Sequence, residues 1–173
     1  MDASSIEVGK ASLAVEILKT GGTLRLRATG SSMLPSLWPG DVLTIEACTI
    51  DQAQRGDIVL FTRNARFFIH RVRGTSVQGG YLTLLTRGDS VPHCDPPVSS
   101  EQLLGKVTLV QRSPTRRRPS TLSAFKSLHA RLLAHSDLCR RIALRLHSRR
   151  IQPWPAREGA RTVWTKIAGS QAK

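Results

Sequence analysis

The sequence predicts a mainly β protein: an antiparallel, barrel-like domain with a short N-terminal helix and a basic C-terminal helical extension. Three observations carry this. Strand-like runs follow one another at short spacing, punctuated by Gly, Pro and Asn. No helix of crossover length separates them, which argues against a parallel α/β sheet. The charge is also divided. Residues 1–111 hold 11 Lys/Arg against 10 Asp/Glu, and residues 112–173 hold 15 against 2, so the net charge of +14 belongs to an appendage on a near-neutral domain.

Ser4 and Glu7 read as a capping box opening a helix that Gly21-Gly22 ends. Thr23 to Thr29 alternates apolar and polar residues, as a half-buried strand does. Gly30 to Gly40 holds two prolines and must be a structured turn. Val42 to Ala47 is a second strand. Asp57 to Thr62 and Arg66 to Val72 form a hairpin about Arg63-Asn64-Ala65. Tyr81 to Thr86 follows Gly79-Gly80, and Val107 to Gln111 is the last strand. Arg116-Arg117-Arg118-Pro119 reads as a linker. Beyond it Leu122, Phe125, Leu128, Leu132, Cys139, Ile142 and Leu146 recur at helical spacing among arginines. The expected organisation is a helix over 1–22, the β domain over 23–112, a basic linker over 113–120 and a basic amphipathic tail over 121–173, loose from Gln152 onward.

Cys48, Cys94 and Cys139 have no metal-ligand spacing, and an odd count gives no disulfide framework. No metal or cofactor is expected. No window reaches the ~18 apolar residues of a membrane span. The start is not a secretory signal, since Asp2 opens it and Glu16 breaks its apolar stretch. The expected location is cytoplasmic or peripheral at a membrane.

Four segments bear on chemistry. In Gly30-Ser31-Ser32-Met33-Leu34-Pro35, followed by Gly40-Asp41, a turn can present a serine hydroxyl near backbone N–H groups able to hold an oxyanion. Gly56-Asp57-Ile58-Val59-Leu60-Phe61 reads as scaffold. In Ile69-His70-Arg71-Val72, alternation sets Phe68, His70 and Val72 on one face and Phe67, Ile69 and Arg71 on the other. Apolar neighbours favour the neutral imidazole that a general base needs. After Thr86-Arg87-Gly88-Asp89 comes Asp95, and a carboxylate at a strand end can orient an imidazole. Each segment alone has an ordinary reading as a turn, a structural histidine or a loop carboxylate.

Their order, closing with Leu104-Gly105-Lys106-Val107, resembles the peptidase domain shared by type I signal peptidases and LexA-type self-cleaving proteins (the S24/S26 superfamily) over about Leu24 to Val110. Bacterial signal peptidases and LexA-type proteins pair the serine with a lysine, but no lysine lies between Lys19 and Lys106. His-Arg-Val, with Asp89 and Asp95 six positions apart, looks like the endoplasmic-reticulum and archaeal type of signal peptidase. The resemblance implies a serine endopeptidase that needs no cofactor. Ser32 would be the nucleophile, His70 the general base, Asp95 its orienting partner and Asp89 a supporting residue. The oxyanion hole would rest on backbone N–H groups, chiefly that of Ser32, with Ser31 and Gly30 in support.

The implied partner is a leader or precursor peptide. The alternative is a self-cleaving or inactive regulatory module on the same fold. Three readings stand for the tail: packing on the β domain or itself, lying on an anionic membrane surface, or binding nucleic acid or an acidic partner. Trp154 and Trp164 stand apart and make no stacking platform, so nucleic acid is not expected.

Overall fold

The computed structural model describes residues 12–64, 66–112, 115–119, 141, 144 and 145. The capping box at Ser4 and Glu7 and nearly all of the basic tail lie outside them; residues 141, 144 and 145 are helical.

Residues 12–19 are helical, and the Gly-Gly pair ends the helix as its chemistry requires. Gly21 takes a φ of 76°, Gly21 N–H donates to the Leu18 carbonyl at 3.1 Å and Gly22 N–H donates to the Ile17 carbonyl at 2.8 Å. Those two bonds satisfy last-turn carbonyls in a Schellman arrangement, and a side chain at the left-handed residue would be strained.

Among the described residues seven strands follow: β1 (Thr23–Arg27), β2 (Val42–Ala47), β3 (Ile58–Arg63), β4 (Arg66–Gln78), β5 (Tyr81–Arg87), β6 (Leu103–Arg112) and β7 (Thr115–Arg117). All pairings between them are antiparallel, in the order β1-β2-β6-β3-β4-β5 with β7 on β6. The mainly β, antiparallel expectation holds, although β1 and β5 do not pair and the sheet stays open.

The β3–β4 hairpin pairs Arg63 with Arg66, and Asn64 sits at a φ of 50°. Asn tolerates that region better than most residues, which suits a tight turn. Gly79 and Gly80 (φ 56° and 83°) turn β4 into β5 in the same way.

Two expectations are corrected. Arg116 and Arg117, expected in the linker, belong to β7, which pairs with Val110 to Arg112. β2 lines one edge of β6, while β3 pairs with the other edge only as far as Lys106, which leaves Val110 to Arg112 open to β7. The last long strand also begins at Leu103 rather than Val107. Gly105 lies inside it because a Cβ there would collide with the Glu46 carbonyl.

Strand alternation divides the apolar residues between two faces. Ala14 and Leu18 of the helix join Leu24, Leu26, Leu43, Ile45, Ile58, Leu60, Phe67 and Ile69 in one cluster. Cys48, Val59, Phe61, Val72, Leu84, Val98 and Leu103 form the other. The middle of the sheet is therefore buried on both sides, and polar groups there need internal partners. Among the described residues, no helix is long and apolar enough to cross a membrane.

Candidate active site

The turn bearing Ser32 is pinned from both sides. Met33, Leu34 and Leu37 are buried, while Ser32 stays half-buried among them. Leu37 N–H donates to the Met33 carbonyl (2.9 Å) and the Trp38 indole N–H to the Pro35 carbonyl (2.9 Å); the Leu34–Pro35 peptide is cis. At the end of the turn, Asp41 accepts from the Trp38 N–H and takes a bidentate contact from Arg112 at 2.7 and 2.6 Å. A turn tied at this many points presents its hydroxyl in one place.

His70 comes from β4, on the face of the second cluster, and is 5% exposed. The rings of Phe61 and Phe68 pack about it, with centroids at 6.0 and 6.2 Å. Its Nε2 lies 3.1 Å from Ser32 Oγ and its Nδ1 2.7 Å from Asp95 Oδ2. An ionised carboxylate only accepts hydrogen bonds, so Nδ1–H donates to Asp95. That tautomer leaves the Nε2 lone pair facing the serine hydroxyl.

Asp95 is itself held. Thr86 Oγ1–H donates to Oδ2 at 2.7 Å, and Asp95 N–H donates to the Thr86 carbonyl at 2.9 Å. Thr86 is fully buried at the end of β5 and fixes both the backbone and the carboxylate of Asp95.

Asp89 is not at the imidazole. Its carboxylate takes a bidentate contact from Arg71, with Nε and one NH2 each at 2.9 Å, and a longer one from Arg73 at 3.4 Å. Arg71 also donates to the Gly56 carbonyl (2.7 Å) and to Ser36 Oγ (3.1 Å). The pair is almost wholly buried, with side chains 2% and 0% exposed. It ties together the serine turn, the turn before β3 and the end of β5. Beside it, burial and then the charge of Arg87 hold the Arg73 guanidinium below its ordinary value, against the pull of Asp89.

Gly88 stands where a side chain cannot. A Cβ there would lie 2.7 Å from the Ser32 carbonyl oxygen and 3.2 Å from His70 Nε2. Ser31 enters through its carbonyl, which accepts from Ser90 Oγ (2.8 Å) and Leu34 N–H (3.2 Å), and Gly30 opens the turn half-buried.

The structure therefore brings Ser32, His70 and Asp95 into one chain of contacts and places Asp89 in a separate ion pair. The sequence assigns no contact to Thr86 or Gly88 within the Thr86-to-Asp89 segment, nor to Ser36 or Ser90, because serine, threonine and glycine at turns and strand ends have no local mark of a distant partner. Arg71 was legible in principle: a guanidinium inside an apolar strand needs a buried acid. No cluster of three or more His, Cys, Asp or Glu able to hold a metal occurs among the described residues.

An open antiparallel sheet that delivers a serine hydroxyl to a carboxylate-backed imidazole defines a protein of peptidase fold. The match to known families is of the same kind. The Peptidase S24-like family covers residues 3–108, and the chain belongs to that family. No curated protein matches the chain.

Proposed function

We propose that this protein is a serine endopeptidase that hydrolyses a peptide bond in a leader or precursor protein through an acyl-enzyme. What supports the reading most is His70 standing between Ser32 Oγ and Asp95, its two ring nitrogens each engaged with a suitable partner. As Ser32 Oγ attacks the scissile carbonyl carbon, its proton passes to His70 Nε2, and Asp95 stabilises the resulting imidazolium. The oxyanion is met by the Ser32 N–H, which makes no backbone hydrogen bond among the described residues. His70 then returns the proton to the departing amine, and water releases the acyl group by the same base.

The sheet offers a place for an extended substrate. β4 pairs with β3 from Arg66 to Arg71 but with β5 only from Arg71 onward. The outer edge of residues 66–70 therefore carries backbone groups that no strand of the sheet takes up, next to His70. A peptide adding as a strand there would gain main-chain hydrogen bonds. The histidine in place of lysine gives this site the pattern of the endoplasmic-reticulum and archaeal signal peptidases.

The test uses purified full-length protein with a peptide library read by mass spectrometry. Ser32→Ala and His70→Ala each abolish cleavage without lowering the melting temperature by more than a few degrees. Activity falls on acidification, because a protonated imidazole accepts no proton. Undiminished cleavage by Ser32→Ala removes the reading. Cuts confined to the protein's own chain would instead assign it to the self-processing branch.

A further inference from the structure

We propose that Ser90 is a positioning residue whose hydroxyl and N–H hold the two peptide groups flanking Ser32, so that their N–H groups form the oxyanion hole. The inference rests on the peptidase reading above and adds a residue to it.

Ser90 follows the Arg87-Gly88-Asp89 run and is 1% exposed. Its Oγ–H donates to the Ser31 carbonyl at 2.8 Å, and its N–H donates to the Ser32 carbonyl at 2.9 Å. One residue therefore anchors two successive carbonyls of the nucleophile turn. A peptide unit is planar and trans, so its C=O and N–H point in opposite directions. Drawing the Ser31 carbonyl toward buried Ser90 turns the Ser32 N–H the other way. Drawing in the Ser32 carbonyl does the same for the Met33 N–H. A single deep anchor thus aims the N–H groups on both sides of the nucleophile away from the protein interior.

Two features make the anchor hard to replace by chance. The close approach of Gly88 to the Ser32 carbonyl lets the 88–90 segment lie against the turn. The second bond to the Ser31 carbonyl, from Leu34 N–H, is longer at 3.2 Å and comes from within the same turn. It cannot fix the turn against the rest of the protein, whereas Ser90 can.

The experiment uses a fluorophosphonate probe. In labelling, the Ser32 Oγ–P bond forms, the P–F bond breaks, fluoride leaves and the serine proton passes to His70. The phosphoryl oxygen occupies the oxyanion position. Saturable kinetics separate probe binding from the bond-forming step. Removing one oxyanion donor outright slows such steps by about 10²- to 10³-fold. Ser90→Ala leaves the backbone anchor in place, so the bond-forming step is expected to slow about 10- to 100-fold with binding unchanged. Ser90→Cys keeps the shape but offers only a weak donor and is expected to slow likewise.

If Ser90→Ala or Ser90→Cys is labelled at the wild-type rate, the Ser90 inference fails and the peptidase reading stands. A Ser90→Ala protein that does not fold leaves the decision to Ser90→Cys. If the wild type is not labelled, or Ser32→Ala is labelled equally, the peptidase reading fails and this inference with it.

Discussion

The buried Arg71–Asp89 pair gives the sharpest test of the site's architecture. Asp89→Ala removes two 2.9 Å contacts from a guanidinium that is 2% exposed. Breaking such a pair from one side costs about 3–5 kcal/mol, because the remaining charge stays buried. Arg71 keeps the Gly56 carbonyl and Ser36 Oγ, and the neighbouring Arg73, 29% exposed, gives water a route in. Both features favour the lower end, about 3 kcal/mol. For a chain of this length that is about 3 °C per kcal/mol, a drop of about 9 °C in Tm by circular dichroism. A double-mutant cycle isolates the pair. Arg71→Met is expected to cost about 2 kcal/mol less in the Asp89→Ala background than in the wild type. A melting temperature within 2 °C of wild type for Asp89→Ala would refute the reasoning.

Three further outcomes follow from the same contacts. Asp95→Asn keeps the shape but favours the wrong imidazole tautomer, so kcat for peptide cleavage is expected to fall about 10³- to 10⁴-fold with little change in Tm; a loss under tenfold would remove Asp95 from the catalytic chain. Gly88→Ala forces the Ser32 carbonyl and the His70 ring to give way, and a shift of about 1 Å is expected to lower kcat by about 10²-fold; unchanged kcat would show that the 88–90 segment yields without moving the nucleophile. Burial pushes the Cys48 thiol up, opposed by Lys106, so less thiolate forms in the fold. At pH 8, iodoacetamide mapped by peptide mass is expected to modify exposed Cys94 well before Cys48, and equal rates would contradict the burial. A thiol raised in the folded state favours folding below its unfolded pKa, and that contribution is lost as pH rises through the folded one.

Much of the fold could be read directly because its signals are local. Asn64 and the Gly79-Gly80 pair mark turns, and alternation in β4 sets Phe68, His70 and Val72 against Phe67, Ile69 and Arg71. The misses have non-local causes. Thr115 to Arg117 reads as a charged linker and becomes a strand only because β6 has an edge that β3 leaves open. β4 runs six residues past Val72 because β5 folds back on it, although Gly74 and the polar residues after it give no strand signal. At the site, Ser32, His70 and Asp95 each sit in a recognisable segment. Thr86 opens one of those segments and Ser90 follows it, but their hydroxyl contacts are not legible there, since a partner 9 or 59 residues away leaves no periodic trace.

The two aspartates six positions apart show why a strand rather than a loop bears the imidazole. Adjacent residues of a strand face opposite ways. His70 therefore turns toward Phe61, Phe68 and Asp95, while Arg71, one peptide on, turns through the sheet toward Asp89. The imidazole and the guanidinium are consecutive side chains on one strand, and each meets its own carboxylate. Asp89 pairs with the arginine, which leaves Asp95 to the imidazole. Arg71 in turn holds Ser36, four residues beyond Ser32, so the anchor on one face restrains the turn whose hydroxyl meets His70 on the other. Exchanging Arg71 for lysine would keep the charge but lose the planar fork that reaches Asp89, Gly56 and Ser36 together. The separation of Ser32 Oγ from His70 should then widen, and kcat should fall before the fold itself gives way.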